Sequence, residues 1–281
     1  MAKLLWLLDE DYYNGEQDAL RAAITELGME WRGITKQDYY MGRVAADVPD
    51  SQPCIVMCTL PIARELPVRR PNLYPGAVCN LSNFKCSYYQ SVLGQRMLNR
   101  VPLYCTWKDL SVNLAQLIRT FGVGIFLRPD RGDKPFDGFV YRLGEDETDW
   151  FDRNYQIYSQ YVRPWDMVLA APAQPLSTLH EEYRVFVVGG KAVSASLYRR
   201  GGVSLLEASD APIPYAQDCA DILTPYMSDL GYTIDLCLST KGEWAVVEVG
   251  SLSCAGLYAC PPKPIVAAVA KCIEEAESDV H

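Results

Sequence analysis

Two acidic residues stand where acids are costly. Asp235 lies in the run YTIDLCL (232–238) and Glu248 in WAVVEVG (244–250), both apolar and strand-like. A carboxylate buried there needs a cation or several donors. Magnesium is one answer, since it prefers oxygen ligands and is usually held by one or two carboxylates together with substrate phosphates. A structural bridge to Arg128 or Arg184 is the other.

Two basic segments offer complementary chemistry. In FLRPDRGDKPFDG (126–138) a strand ends in Arg128, and a turn-rich loop brings in Arg131, Lys134 and Gly138. A strand-end cation followed by a basic loop suits a polyphosphate, because charge and backbone donors can close over it. A solvated loop has the same composition. In EYRVFVVGGKAVSASLYRRGG (182–202), strand alternation puts Glu182, Arg184 and Phe186 on one face. Lys191 follows the turn glycines, and Tyr198, Arg199 and Arg200 can extend the polar face across a hairpin. An exposed ion pair on a sheet is the alternative there.

Other chemistries are poorly supplied. The only histidines are His180 and His281, so a Ser/His/Asp triad or a histidine-based zinc site has one internal histidine to draw on. Ten cysteines include no CxxC pair and sit mostly in apolar runs, which reads as reduced, buried thiols. The net charge of -9 repels a nucleic-acid backbone or an anionic membrane, although Arg64, Arg69 and Arg70 could form a local contact patch. The apolar stretch 4–8 is too short for a signal-peptide core and is followed by three acids. With no run long enough to span a bilayer, a soluble, cytoplasmic protein is expected.

The elements that must position these residues follow from periodicity. An apolar run at 3–8, helical spacing of Leu20, Ala23, Ile24 and Leu27 before Gly28, and β-prone runs at 31–34 and 54–60 predict a small parallel α/β domain over 1–75. Pro61, Pro67, Pro71 and Pro75 read as a linker or irregular crossover. Helices are predicted over 87–99 and 111–121. Strands follow at 125–127, 139–143 and 157–162, and a proline-rich loop leads to a hairpin of 183–188 with 192–198. A helix over 217–230, kinked or delayed by Pro225, precedes strands at 233–238 and 244–249, and an amphipathic helix at 265–277 ends the pattern.

In chain order, Arg128 with Lys134, Glu182 with Arg184, Asp235, and the run VVEVGSLSCAGLY (246–258) resemble the ATP-grasp superfamily. The likeness extends over about 80–264. It is closest to small ATP-grasp domain proteins of phages and bacteria that carry an arginine where others have a phosphate-binding lysine. The resemblance implies an α/β (α+β) chain: an ATP-grasp fold of two α+β subdomains, 76–162 and 163–281, preceded by the small N-terminal domain.

It further implies an ATP-dependent carboxylate-amine ligase that works through an acyl phosphate on small-molecule acids and amines. ATP and Mg2+ would be the cofactors. Arg128, Lys134, Glu182, Arg184 and Lys191 would bind the nucleotide, with Gln160, Tyr161 and Val162 as the hinge whose backbone meets adenine. Glu182 and Arg184 would serve catalysis, and Asp235 and Glu248 would hold magnesium. The family usually has Glu-x-Asn on its last strand, and Gly250 stands here in place of the Asn, leaving Ser251, Ser253 or a water to complete that position. A nucleotide-binding module without ligase activity, and a ligase acting on nucleic-acid or protein ends, are the alternative readings.

Overall fold

The computed structural model describes residues 3–11, 16–122, 124–142, 155–173 and 179–278. They form two compact units. The first combines Met1–Asn80, Glu181–Leu236 and Glu248–His281, and the second combines Leu81–His180 with Cys237–Val247.

In the first unit, β1 (Leu5–Asp9), β2 (Glu30–Ile34), β3 (Cys54–Met57) and β4 (Pro75–Gly76) build a parallel sheet in the order β2-β1-β3-β4. β1 and β3 are buried throughout, as a sheet covered on both faces requires. Leu4, Trp6 and Leu8 enter one core with Leu20, Ala23 and Ile24 of α1 (Glu16–Glu26). The same core holds Phe186 and Val188 and the buried stripe Ile265, Val266, Val269 and Ile273 of the last helix, α7 (Pro262–Ser278). The N-terminal sheet and these later segments are therefore one packed body.

A five-stranded sheet follows. β9 (Leu179–Val188) and β10 (Lys191–Arg200) pair antiparallel around Gly189 and Gly190. Both glycines have positive φ, 55° and 74°, the backbone that a two-residue hairpin turn of this twist demands. β11 (Val203–Ala208) is an exposed edge, while β12 (Gly231–Ser239) and β13 (Trp244–Ser251) carry the two acids. The strand order is β11-β10-β9-β12-β13.

The sheet of the second unit is built from β5 (Leu103–Thr106), β6 (Gly124–Pro129), β7 (Phe139–Arg142) and β8 (Met167–Pro172), in the order β5-β8-β6-β7. α5 (Trp107–Phe121) lays Trp107, Leu110, Leu117 and Ile118 into its core. The ring of Trp107 stacks on Tyr155 with centroids 4.8 Å apart.

Several expectations are corrected. Residues 157–162 are not a strand: 155–158 are helical and a turn follows, because Tyr155 and Tyr158 pack on the Trp107 cluster at helical rather than strand spacing. The proline-punctuated stretch contains the helix α3 (Leu60–Arg69), which tolerates Pro61 in its first turn, where an unpaired N–H is usual, and also holds Pro67. Short helix α2 (Lys36–Tyr40) and strands β5, β8 and β11 lie outside the expected pattern. The helix before β12 is α6 (Ile213–Leu223), earlier than expected, with a 3-10 turn at Thr224–Tyr226 around Pro225. α4 (Cys86–Leu93) is shorter than the helix expected over 87–99.

Candidate functional site

Arg184 is the hub of the first unit's polar cluster. Its Nε donates to Asp235 Oδ1 at 2.9 Å and its Nη2 to Oδ2 at 2.8 Å, an edge-on bidentate pair between β9 and β12. Nη1 donates to the carbonyl of Gly256 at 3.1 Å, and the guanidinium lies 4.6 Å from the centroid of the Tyr258 ring. Burial works to lower the pKa of Arg184, but the charge and hydrogen bonds of Asp235 more than offset it, so the pKa stands above its ordinary value.

Glu182, two residues earlier on the same face, accepts from Tyr198 Oη at 3.0 Å and from Arg199 Nη1 at 3.1 Å. Tyr198 stacks on Tyr258 with centroids 5.0 Å apart. Burial raises the Tyr198 phenol well above its usual range, and the nearby charges of Asp235 and Glu182 push it the same way. The structure thus joins Glu182, Arg184 and Asp235 in one cluster. It also adds Tyr258 and Gly256, which residue type alone did not single out. The signal for Tyr258 is conformational, a φ of 52° in a non-glycine residue, and cannot be read from sequence.

Glu248 is half-buried on β13, the neighbour of β12. A β-carbon placed on Gly250 would lie 2.9 Å from Thr233 Oγ1, so Thr233 and Gly250 face each other. Side chains alternate along a strand, so Asp235 and Glu248, each two residues away, share that face. Ser253 is buried and committed elsewhere, its Oγ accepting from Val78 N–H and its carbonyl from Cys58 N–H, both at 2.8 Å. Ser251 Oγ accepts from the N–H of Cys254.

Lys191 opens β10 opposite Val188, whereas Arg184 faces Ser196. Four residues of strand put it about 14 Å from the Arg184 row, so the cluster does not include it. The nearby turn is instead tied down by Gln217, which bonds Ala192 N–H and the carbonyl of Gly190.

In the second unit, Arg128 is buried near the end of β6. The next turn is fixed by Asp130, which accepts from the backbone and hydroxyl of Ser87 at 2.6 and 2.8 Å. Arg131 is clamped between Asp133 and Asp166, whose hydrogen bonds raise its pKa, so its charge locks the loop. Lys134 is exposed in a left-handed conformation. Gln160, Tyr161 and Val162 turn their N–H groups back to the carbonyls of Ile157 and Tyr158.

Among the described residues no group of three or more His, Cys, Asp or Glu side chains converges as a metal cage. Asp235 and Glu248, on adjacent strands, are two oxygen donors of the type that a hard cation shares with phosphate and water ligands. Seven of the ten thiols are buried, and none of the ten is in a disulfide.

The model of an ATP-grasp domain family, family 3 of its clade, matches residues 93–269. The fold is similar to that of D-cycloserine synthetase DcsG, with a TM-score of 0.63 at 14% identity over 96% of this chain and 99% of that one. It is also similar to D-alanine–D-alanine ligase from Bacillus anthracis complexed with ATP, at TM-score 0.59 and 13% identity, covering 99% and 98%. ATP-grasp ligase PsnB, complexed with a phosphomimetic variant of its minimal precursor, Mg and ADP, gives TM-score 0.57 and 12% identity, covering 98% of each chain. No curated protein matches by sequence. The buried arginine of β6, the Glu-x-Arg strand and the paired acids of β12 and β13 thus lie within the matched region, and the chain belongs to this ATP-grasp domain family.

Proposed function

We propose that this chain joins a small-molecule carboxylic acid to an amine at the expense of ATP, through an acyl phosphate. A carboxylate oxygen of the acid attacks the γ-phosphorus and ADP leaves. The amine nitrogen then attacks the acyl carbon, phosphate leaves, and the amide loses the former amine proton to solvent. The observation that carries this reading is the shared face of Asp235 and Glu248, with a fixed guanidinium against the first of them. Phosphoryl transfer needs positioned charge rather than a covalent nucleophile.

The donor set fits magnesium. Each carboxylate oxygen of Asp235 keeps a second lone pair beyond the one given to Arg184, and Glu248 stands on the neighbouring strand. When bound, the ion would neutralise phosphate charge, with Asp235 and Glu248 as its protein ligands. Of the five N–H groups of Arg184, three are committed, to Asp235 twice and Gly256 once, leaving two to meet an oxyanion. Glu182 holds Tyr198 and Arg199 beside it. Arg128 and Lys134 are assigned to phosphate. Gln160, Tyr161 and Val162 are assigned to the hinge whose backbone meets adenine, with their N–H groups bonded to Ile157 and Tyr158. In this reading the chain divides into 1–75, 76–162 and 163–281, with the first part helping to shape the substrate pocket.

A second reading, a nucleotide-binding module without ligation, draws on the space beside Gly250 that Thr233 already fills. Incubating the chain with magnesium, ATP and pools of amino acids, peptides, polyamines and small acids separates the two. Ligation gives ADP release that depends on both an acid and an amine. Saturable nucleotide binding with no such release supports the module.

A further inference from the structure

Tyr258 combines a strained backbone with a highly connected ring. Its φ of 52° is one that side-chain-bearing residues rarely adopt. Such strain persists only where the surroundings enforce it, and it collects at functional positions. One contact of the ring is to Tyr198, stacked at 5.0 Å and 26°, and another is to the guanidinium of Arg184, 4.6 Å from the ring centroid. Arg199 lies 5.9 Å from the Tyr198 ring, so Arg199, Tyr198, Tyr258 and Arg184 form one chain of ring contacts. Its two arginines are those that pair with Glu182 and Asp235.

The segment carrying Tyr258 is itself pinned. The carbonyl of Gly256 accepts from Arg184, and the N–H of Leu257 donates to Glu16 Oε2 at 2.6 Å. The carbonyl of Arg184 in turn accepts from the Cys260 thiol. Asp235 and Gly256 fix the edge and tip of the guanidinium, while Tyr258 provides a π surface against its face.

We infer that Tyr258 is a positioning residue. Its ring clamps the face of Arg184 so that the guanidinium stays edge-on to Asp235, setting the orientation of a carboxylate assigned to magnesium. The clamp is read from geometry alone, whereas its consequence for nucleotide binding rests on the ligase reading. Tyr198 stacks on the same ring.

The test compares wild type, Tyr258→Phe, which keeps the ring face, and Tyr258→Leu, which keeps apolar bulk without it. The same backbone strain applies to all three. The Nε–H signal of Arg184, assigned by its absence in Arg184→Lys, reports the clamp by its rate of exchange with water. Exchange should be slow in wild type and Tyr258→Phe, and about tenfold faster in Tyr258→Leu, as expected for loss of a desolvated cation–π contact. The magnesium-ATP concentration for half-saturation should rise in Tyr258→Leu by a similar factor. Equal exchange in all three proteins, with or without a lower Tm in the leucine variant, overturns the proposal, as does a phenylalanine variant that behaves like leucine. If the exchange pattern holds but wild type binds no magnesium-ATP, the ligase reading falls and the clamp stands.

Discussion

Thr233 Oγ1 stands 2.9 Å from the point where a β-carbon on Gly250 would lie. The hydroxyl fills the space that an asparagine would need on the last strand. Gly250→Asn should therefore destabilise the fold by about 1–3 kcal/mol, the range for overpacking a closed site. Thr233→Ala in the same chain should recover most of that loss. Urea denaturation of the single and double variants checks it, and equal stability of wild type and Gly250→Asn would refute the close approach.

The Arg184–Asp235 pair is largely buried, with side-chain exposures of 14% and 10%. Removing one partner strands a charge, so Asp235→Ala should cost about 3–5 kcal/mol of unfolding free energy. Replacing both with apolar residues should cost much less. A loss below about 1 kcal/mol for Asp235→Ala would mean that the pair is solvated, contrary to its burial.

Stability should decline in alkali. Burial pushes the Tyr232 phenol up to about 12, with the Thr224 hydroxyl acting the other way, and burial likewise pushes the Cys54 and Cys260 thiols up to about 12. A folded-state pKa above the unfolded one gives stability that is complete below the unfolded pKa and lost as pH rises through the folded value. The windows run from about 9 for the thiols and about 10 for Tyr232 up to about 12, with a slope of at most about 1.4 kcal/mol per pH unit for each group. Tyr232→Phe should flatten the upper part of the curve. An identical pH profile in that variant would contradict the assignment.

Two lysines of similar sequence promise occupy different local settings. Lys134 sits in the loop after Arg128, whereas Lys191 lies at the turn end of the β9–β10 hairpin, four rows from Arg184. Lys134→Ala should raise the KM for ATP about tenfold, the loss of one charge-assisted phosphate contact. Lys191→Ala should leave that KM within about twofold. The reverse pattern in steady-state kinetics would show that the hairpin turn, not the loop, meets the phosphates.

Much of this arrangement is legible in the residues. Apolar strands announce β1, β3, β12 and β13, and the i, i+2 spacing of Glu182 and Arg184 places them on one face. What escaped depends on partners distant in the chain. Tyr155 and Tyr158 look β-prone in isolation, yet the Trp107 and Phe136 rings give helical spacing a place to pack. β8 hides between proline-rich neighbours because its apolar residues gain meaning only from β5 and β6 on either side. The bond between Arg184 and Asp235 spans 51 residues, and which carboxylate the guanidinium chooses is set by strand order. Tyr258 owes its role to a backbone conformation that nothing in the residues 256–258 specifies.

Glu248→Ala, assayed for ADP release with magnesium, ATP and the acid and amine pair that wild type uses, is the most direct test of ligation at the β12–β13 acids. Turnover should fall to the background of the reaction without protein, while the circular dichroism and Tm of the variant stay close to wild type. Turnover equal to wild type would remove Glu248 from the metal site and contradict the central claim.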